Sequence, residues 1–183
     1  MKGFKLALII LIGIIALGVA AIFMINAPQN KAITLEEKVG TAKSAITVQE
    51  KRRAELIPNL VDCVKQYDKH EYETLMAVIE ARGTSSDDVA QEVQTMINAV
   101  AEQYPELKSN DNYKNLMNEL STTENLIAQH RTAYDKSVEN YNSYIRKFPA
   151  RVFLSITGYE KVNYEKLNFE GFENVPTNLF GED

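Results

Sequence analysis

Residues 49–71 read QEKRRAELIPNLVDCVKQYDKHE, an apolar seam of helical spacing with Pro58 set inside it. Arg52, Arg53 and Glu55 lie on one flank of the proline, and Lys65, His70 and Glu71 on the other. A proline in a helix interior removes one backbone hydrogen bond and costs about 3 kcal/mol or more. The carbonyl it frees here is that of Ala54, so a neighbouring donor has to compensate, and a helix kink at Pro58 is expected. The Asn59 amide and the guanidinium groups of Arg52 and Arg53 are the nearest candidates in sequence.

Working outward, Leu35, Val39, Ala42, Ile46, Gln49, Arg53, Leu56, Leu60, Cys63 and Tyr67 recur at alternating steps of three and four. That is the seam of a helix packing lengthwise on another. Thr34 followed by Glu37 makes a capping box at its start. The pattern predicts one helix from there to about Ala81, a rod of roughly 75 Å at ~1.5 Å per residue. Gly83 supplies the stop, and Thr84, Ser85, Ser86 and Asp87 offer the next N-cap. A second helix is predicted over 87–103, with Val89, Val93, Met96, Ile97 and Val100 on one face and Pro105 at its end. The third runs over about 112–147, with the seam Tyr113, Leu116, Leu120, Ile127, Tyr134, Val138, Tyr141, Ile145 and Phe148, and Pro149 stops it. Residues 150–157 allow one more short turn of helix. A second helix of about 26 Å cannot cover the first rod alone. A kink near Pro105, leaving the second and third helices together antiparallel to the first, is favoured over a full reversal.

Upstream, residues 6–25 read LALIILIGIIALGVAAIFMI, twenty positions without a charge. About 20 apolar residues span the ~30 Å hydrocarbon layer as a helix. A cleaved signal peptide ending near Gly18, Val19 and Ala20 is the competing reading. The segment stays apolar through Ile25 with no polar region before that cut, which favours an uncleaved anchor. Lys2, Lys5 and the amino terminus favour a cytoplasmic N-terminus with the domain outside, and Lys31, Lys38 and Lys43 nearly balance them. The expected organisation is a short segment 1–5, a transmembrane helix 6–25, a linker 26–33, a helical bundle 34–157 and an irregular tail 158–183. The fold class is all-α: an elongated antiparallel bundle of long helices behind one N-terminal transmembrane helix.

The 183 residues carry net charge −5; without Lys2 and Lys5 the balance is 18 basic against 25 acidic, or −7. That charge opposes nucleic-acid binding and general attraction to anionic lipid. Cys63 is the only cysteine, so no internal disulfide forms, and its seam position suits a small core residue better than a nucleophile. No Glu precedes His70 or His130 by three and position 74 is Thr, so neither a di-iron bundle nor a zinc-protease pattern is present; no metal and no cofactor are expected. Gly40, Gly83 and Gly158 are isolated and make no phosphate loop.

These residues, taken together, resemble the LemA family. The first block is Gln49, Arg52, Arg53, Glu55, Leu56, Ile57, Pro58, Asn59, Leu60 and Val61, then Val64, Lys65, Tyr67, His70 and Glu71, ending in Glu80, Ala81 and Arg82. The second is Tyr104 and Pro105 with Leu107 and Lys108, then Leu120, Thr123, Glu124, Asn125, Ile127, Arg131 and Tyr134. The third is Tyr141 and Asn142 leading to Phe148 and Pro149. Glu55 stands where the family more often carries Asp, Asp135 where Asn follows the tyrosine, and Tyr159 where Phe is expected. The resemblance implies a helical bundle on a single transmembrane anchor and no established reaction, hence no catalytic residue.

Polar residues in the seam are the candidate site: Arg52, Arg53 and Asn59 on the first helix, and Glu124, Asn125 and Arg131 on the third. A buried Arg needs a carboxylate and several acceptors, with Glu124, Asn125, Glu139 or Asn142 as expected partners of Arg53. The cluster is either a register-setting network or a site for a small anionic ligand, the network being the commoner case. The tail aromatics Tyr159, Tyr164, Phe169, Phe172 and Phe180 either pack back on the bundle or stay exposed. The expected role is a membrane-anchored scaffold or adaptor acting through helix–helix contacts, self-assembly or a protein partner, rather than an enzyme. A transmembrane sensor stalk is a further alternative.

Overall fold

The computed structural model describes residues 2–84 and 86–167, with the side chains of 2–8, 20 and 21 set aside. Helix covers α1 (Lys2–Val64), α2 (Lys69–Arg82), α3 (Asp87–Gln103), α4 (Pro105–Ser109), α5 (Asp111–Arg146) and α6 (Ala150–Ile156), and the described residues hold no strand. The all-α antiparallel bundle with a long apolar N-terminal helix is thus the observed class. Phe169, Phe172, Phe180 and Ser85 lie outside the described residues.

α1 departs from expectation at both ends. It runs without a break through residues 26–33, and Thr34, expected as a cap, sits mid-helix with its hydroxyl donating to the Asn30 carbonyl at 2.8 Å. Asn30 and Asn26 are poor helix formers in isolation, but flanking helix on both sides overrides their weak preference. At the other end α1 stops at Val64 rather than near Ala81. Tyr67 and Asp68 both donate backbone N–H to the Val64 carbonyl. Asp68 then adopts extended backbone and caps α2, its carboxylate accepting from the Glu71 N–H at 3.0 Å. Its other oxygen takes the Tyr104 hydroxyl at 3.0 Å.

The chain divides into two compact units, one of residues Gly40–Ala133 and one of Met1–Val39 with Tyr134–Asp183. In the Gly40–Ala133 unit, side-chain pairs fix the helix directions. Thr84 returns to the level of Ala54, so α2 runs back along α1. Arg82 pairs with Glu92 while Asp68 pairs with Tyr104, so α3 reverses again. Asp87 meets Arg131 while Asn98 meets Tyr113, so α5 is antiparallel to α3. The result is an up-down-up-down four-helix arrangement with short turns. This overturns the kink favoured at Pro105: that segment is a full reversal through α4, with Pro105 at the first helical position where its missing N–H costs nothing. The rod expected over residues 34–81 is not formed as one helix either: α1 ends at Val64 and starts far upstream, at Lys2.

The core of this unit collects Leu56, Leu60 and Val64 from α1, Val93 and Ile97 from α3, and Leu120 from α5. Each such side chain contributes about 1.5–3 kcal/mol of burial. Gly83 ends α2 with φ +71°, a left-handed conformation glycine adopts without Cβ penalty. Asn110 caps α5 by accepting from the N–H groups of Asn112 and Tyr113.

In the other unit, Tyr134, Val138, Tyr141 and Ile145 of α5 and Ala32, Leu35 and Val39 of α1 are buried. Residues 159–167, without regular structure, run antiparallel to α5. Asn142 donates to the Tyr164 carbonyl, Tyr134 donates to the Glu165 carbonyl, and the Leu167 N–H donates to Asp135. The described part of the tail therefore packs back. Phe148, expected in the seam, is 82% exposed because α5 stops two residues before it.

Candidate functional site

Arg53 is 1% exposed, the largest fully buried side chain of the described residues. Its Nη1 donates to Asp87 Oδ1 at 2.7 Å and faces Glu124 Oε1 at 3.4 Å. Asp87 opens α3, immediately after the turn that returns from α2. Arg131 of α5 grips the same carboxylate with both fork nitrogens, Nη1 to Oδ2 at 2.6 Å and Nη2 to Oδ1 at 3.0 Å. Its Nη2 also reaches Glu50 of α1 at 3.1 Å. A planar guanidinium across a carboxylate in this way is the strongest ion-pair geometry side chains offer. Asp87 thus ties α1, α3 and α5 together at the level where the α2–α3 turn docks.

The electrostatics follow the geometry. The hydrogen bonds from Arg131, then those from Arg53, hold the Asp87 carboxyl below the usual aspartate range against partial burial. Asp87, in turn, and then Glu50 push Arg131 further up. Two guanidinium groups meet three carboxylates, so the cluster carries a net negative charge.

Pro58 is answered at the same turn. α1 continues through it, and the hydroxyl of Thr84, a buried residue, donates to the freed Ala54 carbonyl at 3.3 Å. The donor is none of the three expected: Asn59 is exposed and donates to the Glu55 carbonyl at 2.9 Å, one turn back, and Arg53 turns to Asp87. Arg52 pairs with Glu119 on the surface, away from Asp87. The structure therefore joins Arg53, Glu124 and Arg131 and leaves Arg52, Asn59 and the exposed Asn125 outside the network. Of the other expected partners of Arg53, Glu139 pairs with Lys166 and Asn142 with the tail. Asp87, Glu50 and Thr84 are the residues sequence reasoning missed as members of the site. The signal lies in Thr84 meeting Ala54 and Asp87 meeting Arg53 once α1 is allowed to end near Asp68, which stands three residues before Glu71 as an N-cap does.

Gln49 Oε1 is buried without a hydrogen-bond partner among the described residues. Cys63 is half-buried, its thiol donating to the Asn59 carbonyl at 3.5 Å, and burial, then Asp62, push its pKa up. A raised thiol is a poor nucleophile. His70 is exposed, and among the described residues no three His, Cys, Asp or Glu side chains converge as metal ligands would.

Among the described residues one helix, α1, is long and apolar enough by length and composition to cross a membrane, and Ile9–Leu17 and Ile22–Met24 present their large apolar side chains outward. Among known proteins, magnetosome protein MamQ of Magnetospirillum gryphiswaldense is 39% identical over 66 residues, 36% of this chain and 24% of the relative. Magnetosome proteins MamQ 1 and MamQ 2 of Paramagnetospirillum magneticum match at the same identity and coverage. The aligned stretch therefore spans about a quarter of those relatives' length. The LemA family model matches residues 42–180, which holds the whole Asp87 network, and the chain belongs to the LemA family.

Proposed function

We propose that this LemA-family protein is a single-pass, membrane-anchored scaffold that works through helix–helix contacts, by self-assembly or with a protein partner. The observation that carries the reading is the state of the clustered charges around buried Arg53: both fork nitrogens of Arg131, and Arg53 Nη1, are committed to Asp87, Glu50 and Glu124. A site built to take an anion keeps a cation available, and this one spends its cations on holding α1, α3 and α5 in register. That is the use of buried polar groups best attested in helical bundles. It also counts against a small anionic ligand at the cluster.

The apolar run of α1 supplies the anchor, with Lys2 and Lys5 favouring a cytoplasmic N-terminus and the bundle outside. Gly13, Ala16 and Gly18 lie within that run, and nothing comes within 4 Å of a Cβ built on either glycine. Small residues there permit close approach of a second transmembrane helix. A match over a quarter of the MamQ proteins transfers no magnetosome role.

The continuity of α1 from the apolar run through Val64 favours one second reading, a stalk that passes tilt across the membrane. Native mass spectrometry of the full chain in mild detergent tests the scaffold. Homo-oligomers or a stoichiometric companion are expected, and a strictly monomeric species without companions contradicts it.

A further inference from the structure

Where α5 ends, the chain makes a corner whose outer surface nothing described covers. Phe148 is 82% exposed, and on α6 Val152 is 42% and Ile156 65% exposed, while Ala150 and Leu154 face inward. Val152 and Ile156 are one turn apart and so share a face, as do Arg151 and Ser155 beside them. These four and Lys161 line one open depression of about 400 Å³, which combines two apolar side chains with two cations. The charge is local. Between Asn140 and Tyr159 there is no acidic residue, and Arg146, Lys147 and Arg151 are the charges present, in a chain of net charge −5; Glu160 then stands beside Lys161, leaving four cations against one carboxylate over 140–161.

The corner's height is set by α1. The Tyr144 hydroxyl donates to the Pro28 carbonyl at 3.3 Å, and Tyr159, stitched to Tyr141, donates to Glu36 at 2.7 Å. Moving along α5 from Tyr141 to Tyr144 therefore moves back along α1 from Glu36 to Pro28, towards the apolar run. Pro28 stands three residues past Ile25, roughly 4.5 Å along the axis. Arg146 lies two residues, roughly 3 Å, beyond Tyr144 in the same direction. A helical side chain leans towards the N-terminus of its own helix, so the α5 backbone at Tyr144 sits closer still to the apolar run. Arg146, Lys147 and Phe148 thus reach the level where α1 leaves the hydrocarbon. The headgroup layer occupies the outer ~5–7 Å on each side of a bilayer.

We propose that this corner is a second membrane contact: Phe148, Val152 and Ile156 enter the interfacial layer while Arg151 and Lys161 take lipid phosphates. The occupant is the bilayer that α1 crosses, so the inference rests on the membrane-anchored reading above. Exposed apolar side chains interleaved with cations are the composition that binds such an interface, by apolar burial together with attraction to lipid phosphate. Two points of attachment, α1 and the corner, hold the unit of Met1–Val39 and Tyr134–Asp183 at a fixed tilt to the membrane.

The chain has no tryptophan, so a single introduced one reports its own surroundings. Phe148→Trp, Val152→Trp and Ile156→Trp are made in the full chain, with Ile15→Trp inside the apolar run and Lys38→Trp beyond it as references. Each is reconstituted in vesicles of phosphatidylcholine and phosphatidylglycerol carrying brominated acyl chains. The expected result is a blue shift and loss of emission at 148, 152 and 156, strong loss at 15 and none at 38. Adding Arg151→Glu and Lys161→Glu to Val152→Trp should restore its emission and leave the Ile15→Trp signal unchanged. If position 15 is quenched while 148, 152 and 156 stay bright and open to aqueous iodide, the second contact is overturned and the anchor stands. If neither lipid nor iodide reaches the three positions, residues 168–183 or a second copy covers them, and the proposal also falls. If position 15 is not quenched, the membrane-anchored reading fails first.

Discussion

Truncating Asp87 to alanine takes from the Arg53 guanidinium its 2.7 Å partner and leaves Glu124 at 3.4 Å. Removing one member of a buried pair costs about 3–5 kcal/mol when both are buried. Asp87 is half exposed, so Asp87→Ala should cost about 2–3 kcal/mol in urea unfolding, against under about 1 kcal/mol for Arg52→Ala, whose pair with Glu119 is on the surface. The carboxyl of Asp87 is held below its ordinary range, so its stabilisation is present above about pH 4 and fades as pH falls below that. The wild-type acid limb should show this loss, and Asp87→Asn should flatten it. Thr84 and Pro58 form a second residue-scale test. Thr84→Val should cost about 1 kcal/mol by leaving the Ala54 carbonyl without its donor. In a Pro58→Ala background, where a backbone N–H at 58 returns, the cost should largely vanish; an undiminished cost would separate Thr84 from the proline. Arg53 was legible from its seam position alone, since only a facing carboxylate makes a buried Arg tolerable. Asp87 was not, because its partners lie 34 and 44 residues away and their meeting depends on where α1 ends.

At the scale of elements, α3 and α5 were readable because long apolar periodicity dominates local preference; α3 was placed at 87–103 and α5 within a residue of its observed ends. α1 and α2 were merged because the seam runs on in phase through Cys63 and Tyr67, hiding a turn that a single N-cap, Asp68, creates. Asp68→Ala should therefore raise amide exchange in the first turn of α2, at Glu71 above all, whose N–H loses the Asp68 carboxylate, while α3 stays protected; an unchanged pattern would mean that the cap is incidental. The tail shows the opposite case. Over 159–167 the lack of regular structure is legible in the sequence, but the path along α5 comes from single hydrogen bonds. Tyr141 is central to them, bonding the Tyr159 hydroxyl and accepting from the Val162 N–H. Burial, then Tyr141 and Glu36, push the Tyr159 phenol far above its ordinary value, consistent with a hydroxyl that works as a donor. Tyr141→Phe should leave overall helicity unchanged and speed limited proteolysis within residues 159–167; equal rates would contradict the stitching.

For the whole molecule, the class was legible and the topology was not. Apolar periodicity and an uncharged run announce a helical bundle behind an apolar N-terminal helix, and both are observed. The number of reversals is not legible in the sequence because a 14-residue helix and a five-residue one hide inside patterns that look continuous. The same reading explains why the cluster first admitted an anionic ligand: without the α2–α3 turn in place, Arg131 has no partner in view and stands as an open cation. With Asp87 between them, the two arginines fasten α1, α3 and α5 to one another, and the role proposed for the protein lies in contacts with other helices and the membrane. The measurement that tests this most directly is in-cell crosslinking of the full-length protein followed by mass spectrometry. The account predicts crosslinks between copies, or to one recurrent membrane-protein partner, at defined surface lysines. Crosslinks confined within single chains, with no partner enriched, would contradict it.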